Sequence, residues 1–151
     1  AELALGLVVN RKGRPLRIHE PRAAGVFVQE LVRKAFPSGA TRIAARGTYF
    51  SDDRGEVIRE PVVVVRLYSG LFSEKDARRG CAEFVRSVRC LAKTLSGLFH
   101  QESVLGSIAY PTGRRTVEFV GEAERVASCD SPVTSLPKLL HPVLFRGRAA
   151  A

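Results

Sequence analysis

The sequence predicts an α+β domain of ferredoxin-like, split βαβ topology: an antiparallel sheet with two helices on one face, followed by a C-terminal extended arm. Three observations predict it. Apolar runs and two stretches of helical periodicity follow one another in the order β-α-β-β-α-β. Tight-turn signals separate the strands that lie next to each other in sequence. The chain is 151 residues long, with 45% apolar and 26% charged residues, enough for one domain with a core and too apolar for disorder.

Ala4 to Val9 is a short apolar run and reads as a buried strand, stopped by the basic, turn-like stretch Asn10 to Pro15. Pro21 stands where a first helical turn would begin. From there Phe27, Leu31 and Ala35, with Val28, Val32 and Phe36, repeat at i, i+4 until Pro37-Ser38-Gly39 breaks the pattern. Residues 41–50 have strand propensity, and Ser51-Asp52-Asp53-Arg54-Gly55 is a hairpin turn signal. The return strand runs from Glu56 to Tyr68. Its centre, Val62 to Val65, is apolar on both faces, as an interior strand requires, and Pro61 at its entrance predicts an irregularity in the ladder.

Ser73-Glu74-Lys75-Asp76 is a variant capping box that opens a second helix over about 73–97. Its apolar seam is Cys81, Phe84, Val88, Leu91, Leu95 and Leu98. Gly97 is a C-cap candidate, although Leu98 and Phe99 could carry one more turn. Residues 103–110 and 116–120 flank Pro111 to Arg115 as a second hairpin, and one of these strands is extra to the six-element core. Two domains in sequence are therefore expected: the α+β unit over 1–121 and a proline-punctuated apolar arm over 122–151. In the arm Pro132, Pro137 and Pro142 recur among Val133, Leu136, Leu139, Leu140, Val143, Leu144 and Phe145.

Several of these motifs together resemble a family of small bacterial proteins known only as a domain of unknown function, many of them exported. They are Phe36-Pro37-Ser38-Gly39, Gly47 and Tyr49, Asp53, Gly55 to Pro61, the valine strand, and Gln101 to Val104. They span about residues 25–110. The chain departs from the family in having Tyr49-Phe50 where a Trp is expected, in showing no export signal and in adding the arm after Gly121. The resemblance implies a ferredoxin-like fold and supplies no catalytic residue.

The formal net charge is +9, from 24 basic and 15 acidic residues. One basic cluster is Arg11, Lys12, Arg14, Arg17 and Arg22, and a second is a stripe on the second helix: Lys75, Arg78, Arg79, Arg86, Arg89 and Lys93. Either could meet nucleic acid or an acidic partner, and either could be a solvated face. The sheet lacks the paired aromatics that an RNA-recognition sheet uses. Cys81, Cys90 and Cys129 are an odd number at spacings that suggest neither a disulfide framework nor a zinc site, so a reducing intracellular compartment is expected. With no Met in the chain, Ala1-Glu2 reads as a processed or Met-excised start. No window suits a transmembrane helix.

For catalysis the candidates are His19, Glu20, His100, Glu102 and Tyr110. They sit at element boundaries, where an acid and a base could meet in a cleft. No metal or cofactor motif stands beside them. On balance the sequence points to a non-catalytic interaction module, a subunit of a larger assembly docking through its open sheet face and arm. The alternative is a small-molecule enzyme or binding protein in which two sheets pair back to back as a dimeric α/β barrel. A second alternative is an electrostatic nucleic-acid contact protein.

Overall fold

The computed structural model describes residues 1–9, 17–37, 39–51, 54–70, 77–101, 103–110 and 112–121. Its elements are β1 (Glu2–Gly6), β2 (Val8–Val9), β3 (Arg17–Ile18), α1 (Pro21–Ala35), β4 (Ala40–Ser51), β5 (Glu56–Leu67), α2 (Ala77–Phe99), β6 (Ser103–Ala109) and β7 (Arg115–Gly121). Five strands form one antiparallel sheet in the order β4-β5-β1-β6-β7. The first four positions of that order are the split βαβ arrangement, and β7 is the extra strand at the β6 edge.

The first apolar run is not one strand. β1 pairs with β5 up to Gly6 opposite Val62, and the next residue of β5 is Pro61, which has no N–H to give. Leu7 can therefore make only half a rung, donating to the Pro61 carbonyl at 3.1 Å. Its own carbonyl turns away to accept from the His19 amide at 2.9 Å, and Val8 and Val9 pair with Arg17 and Ile18 instead. The irregularity expected at Pro61 thus appears in β1, while β4 keeps its register on β5 straight through Pro61.

Helix α1 starts at Pro21 because Glu20 caps it, its carboxylate accepting from the amides of Arg22 and Ala23. Helix α2 passes Gly97 and ends one half-turn later at Phe99, since Leu95 and Phe99 both belong in the core and stopping at Gly97 would withdraw Phe99. Among the described residues no helix is long and apolar enough to cross a membrane. The capping box at 73–76 and the arm at 122–151 lie outside the described residues.

Alternation decides what each strand presents. Leu3 and Leu5 of β1, and Val63, Val65 and Leu67 of β5, join Val104, Ile108 and Val120 under both helices. From α1 come Ala24, Val28, Leu31 and Val32, and from α2 Val88, Leu91, Ala92, Leu95 and Phe99. Both helices thus cover the same face. The opposite face keeps Ala4, Gly6, Glu60, Val62 and Val64, with Ile43, Leu105, Val117 and Phe119 exposed around them. Cys81 is free and Cys90 is disulfide-bonded. No disulfide was expected from the spacing, because spacing is blind to partners that only folding brings together.

Candidate ligand site on the open sheet face

Glu60 shares the parity of Val62 and Val64 and so faces the side of the sheet that carries no helix. It is nevertheless only 9% exposed. Two local features make room for it. The Val8 amide, freed from the main ladder by the break at Leu7, donates to Glu60 Oε2 at 2.8 Å. Gly6 has no side chain, and a Cβ there would collide with the Glu60 carboxylate. Burial pushes the carboxyl above the usual carboxylate range, and the amides of Val8 and Leu7 pull the other way. Leu7 already donates to Pro61, so the Val8 bond is the one that seats the carboxylate.

The second wall comes from the end of α2. His100 is the only described non-glycine residue with positive φ, at 52°. The Gln101 amide donates to Ser96 O at 2.9 Å and the His100 amide to Gly97 O at 3.3 Å, the two bonds of a Schellman cap with His100 in the left-handed position. Gln101 Nε2 then donates to Val8 O at 2.9 Å and to Phe99 O at 3.2 Å. One peptide segment therefore joins both walls: the Val8 N–H holds Glu60 and the Val8 carbonyl holds Gln101.

Between them lies a cavity of about 450 Å³, lined by Ala4, Gly6, Val8, Glu60, Val62, Val64, His100, Gln101, Leu105 and Phe119 and by residues 45–49 of β4. The size falls in the range of small-molecule sites, and so does the lining, mostly apolar with a few convergent polar groups. Among the described residues no three His, Cys, Asp or Glu side chains converge to hold a metal ion.

Of the four described residues among the five expected to carry chemistry, only His100 reaches this cavity. His19 is 2% exposed, its ring packed edge-on against Phe99 and its Nε2 donating to Phe99 O at 3.1 Å; it is a brace of the core. Glu20 is the exposed cap of α1. Tyr110 is half-buried against the helix-side core, at the end of β6. Glu102 lies outside the described residues. Glu60, Gln101 and Gly6 were missed. Glu60 and Gln101 did leave a signal, since both stand in stretches that carry the family resemblance and Glu60 shares the strand parity of two valines; Gly6 left none.

The basic stripe on α2 is partly neutralised, with Arg79 paired to Glu83 at 3.0 Å and Arg89 forked onto Glu118 at 2.8 Å. Arg78 and Arg86 are exposed, Lys93 is half-buried, and Lys75 lies outside the described residues. Arg22 is exposed at the start of α1. Arg11, Lys12 and Arg14 lie outside the described residues. So do all the docking-arm candidates, Val133, Leu136, Leu139, Leu140, Val143, Leu144 and Phe145.

No curated protein is similar enough to this chain to be matched. Two solved structures share its fold. One is a phage SAM lyase in complex with S-methyl-5'-thioadenosine, with a TM-score of 0.58 and 23% identity over 82% of this chain and 90% of that one. The other is a phage SAM lyase in the apo state, at 0.50 and 20% over the same shares. At these identities the likeness is one of fold. It still corrects the main functional expectation. A non-catalytic docking subunit is not what this architecture accompanies in its solved neighbours, which are enzymes, and the small-molecule alternative is the better supported. The family resemblance finds its match as well: residues 1–111 fit the family model described as Protein of unknown function (DUF3574), and the chain belongs to that family.

Proposed function

We propose that this chain is a small-molecule enzyme whose site is the open-face cavity, and that its ligand is an adenosyl sulfonium of the S-adenosylmethionine class. The observation that carries the reading is the Glu60 carboxylate, sunk among Ala4, Val62 and Val64 and held by a backbone amide. Such a group is expensive to keep ionised, and a cationic ligand lowers the cost by supplying the opposite charge at short range. Tyr49 and Phe119 add aromatic surface on which a purine could lie. The named substrate of the structures with this fold, SAM, is a sulfonium cation, which agrees with that demand.

The reading includes closure of the cavity by a second copy of the chain on the open face, in the manner of a dimeric α/β barrel. Val117 and Phe119, both about two-thirds exposed beside the cavity, support it. A native mass that is solely monomeric overturns the closure.

Calorimetric titration with S-adenosylmethionine and with S-methyl-5'-thioadenosine tests the ligand class, because the two share the nucleoside and differ in charge at sulfur. Wild-type protein binds both. Glu60→Gln weakens the sulfonium compound by about tenfold or more, the effect of losing about 1.4 kcal/mol, and leaves the neutral thioether nearly unchanged. Absence of binding of either compound refutes the reading. Equal loss for both refutes the role given to Glu60.

A further inference from the structure

We propose that the groove between α1 and the edge strand β4 is a second ligand site, for an aliphatic carboxylate of medium chain length, with Arg42 holding the carboxylate. The groove lies on the helix side of the sheet, away from the Glu60 cavity, and the inference stands independently of the adenosyl reading. Its volume is about 460 Å³. Val28, Val32 and Phe36 line it from one stripe of α1, and Val65 of β5 lies beneath them.

A glycine in α1 and an arginine in β4 explain one another. Glycine inside a helix costs stability relative to alanine, yet Gly25 stands buried within α1. Arg42 pairs with Val65 across β4 and β5 and so shares its helix-side face. Its guanidinium reaches α1 at Gly25, where a Cβ would overlap it. Gly25 precedes Val28 by about one turn on the same stripe, so the guanidinium stands at one end of the groove, and Phe36 and Pro37 stand at the other. Among the described residues Arg42 makes no ion pair or hydrogen bond. No acid lines the groove, and Arg33 on its rim is already paired with Glu30 at 3.2 Å. A cation seated at the end of an apolar slot asks for an anion with an apolar body. A carboxylate matches the guanidinium fork with two parallel hydrogen bonds. From Gly25 to Phe36 the helix rises about 16 Å, room for an extended chain of roughly eight to ten carbons.

Calorimetric titration with hexanoate, octanoate and decanoate tests the site. Wild-type protein is expected to bind octanoate, with affinity rising about fourfold for each methylene added along the series. Octanamide, with the same chain and a neutral head, binds at least about tenfold more weakly than octanoate. Arg42→Gln weakens octanoate by a similar factor, and Gly25→Ala, which keeps the guanidinium but displaces it, weakens octanoate as well. Glu60→Gln leaves octanoate affinity at the wild-type level, because Glu60 lies on the other face of the sheet. The inference is overturned if wild-type protein does not bind octanoate, if affinity is flat along the series, or if octanamide binds equally well. Wild-type affinity in Arg42→Gln or Gly25→Ala, or loss of octanoate in Glu60→Gln, overturns it too. None of these results bears on the adenosyl reading, whose own titrations fail or succeed separately.

Discussion

Burial raises the Glu60 carboxyl above its ordinary range, against the pull of the Val8 and Leu7 amides. A carboxylate whose pKa is higher folded than unfolded binds its proton more tightly in the folded state. Its contribution to stability is therefore complete below the unfolded value of 4.5 and is lost as pH rises through the raised folded value. Chemical denaturation across that window should show Glu60→Gln losing this pH dependence and holding wild-type stability or better at neutral pH, where the amide no longer demands a buried charge. A variant that keeps the wild-type profile would show that Glu60 is not the titrating group. The same protonation affects ligand capture: affinity for a cation should fall on acidification through the raised value, because the neutral acid offers no counter-charge. Gly6 acts beside it through absence. Gly6→Ala places a methyl group where the carboxylate sits, so Glu60 must leave the Val8 amide. The expected result is a folded protein whose affinity for S-adenosylmethionine drops to the level of Glu60→Gln, read by the same titration.

The start of α1 has a chemical reason that can be tested. The amides of the first helical turn have no partner within the helix, Pro21 has none to satisfy, and Glu20 satisfies those of Arg22 and Ala23. These bonds hold the Glu20 carboxyl below the usual range, Ala23 contributing most. The stabilisation is present above the unfolded value of 4.5 and is lost as pH falls through the lower folded value. Glu20→Ala should lower the thermal midpoint by a few degrees at neutral pH, with the difference vanishing in strong acid; a constant difference at every pH would exclude the carboxylate cap. Strand β1 shows how one residue redirects another element. Pro61 lies in β5, yet it is β1 that breaks, because the missing N–H is a rung that only the partner strand needs.

Among the described residues a single core joins α1 and α2 to β1, β5, β6 and β7. Leu95 of α2 is wholly buried at its centre, and Leu95→Ala should cost about 2–5 kcal/mol in urea denaturation with one cooperative transition. Two resolved transitions would mean that the hairpins fold as separate units. The sequence by itself determined the order and kind of the main elements, the two hairpins, and the interior place of the valine strand between β4 and β1. These are properties of local periodicity, proline, and turn residues, so they are legible in a window of a dozen residues. It also carried the family, whose model matches residues 1–111. The end of α2 was left open between Gly97 and Phe99, because Phe99 filling the core decides it, and the break of β1 lay beyond the sequence, since it depends on Pro61 of another strand. The site was the least legible of all. Val8 meets Glu60 across 52 residues and Gln101 across 93, and His100 joins them only because the C-terminus of α2 is pinned there. Only the tertiary structure decided that cavity, because the register of β1 on β5 and the seat of α2 on the sheet are what bring a carboxylate, a glycine gap and a left-handed histidine to one place.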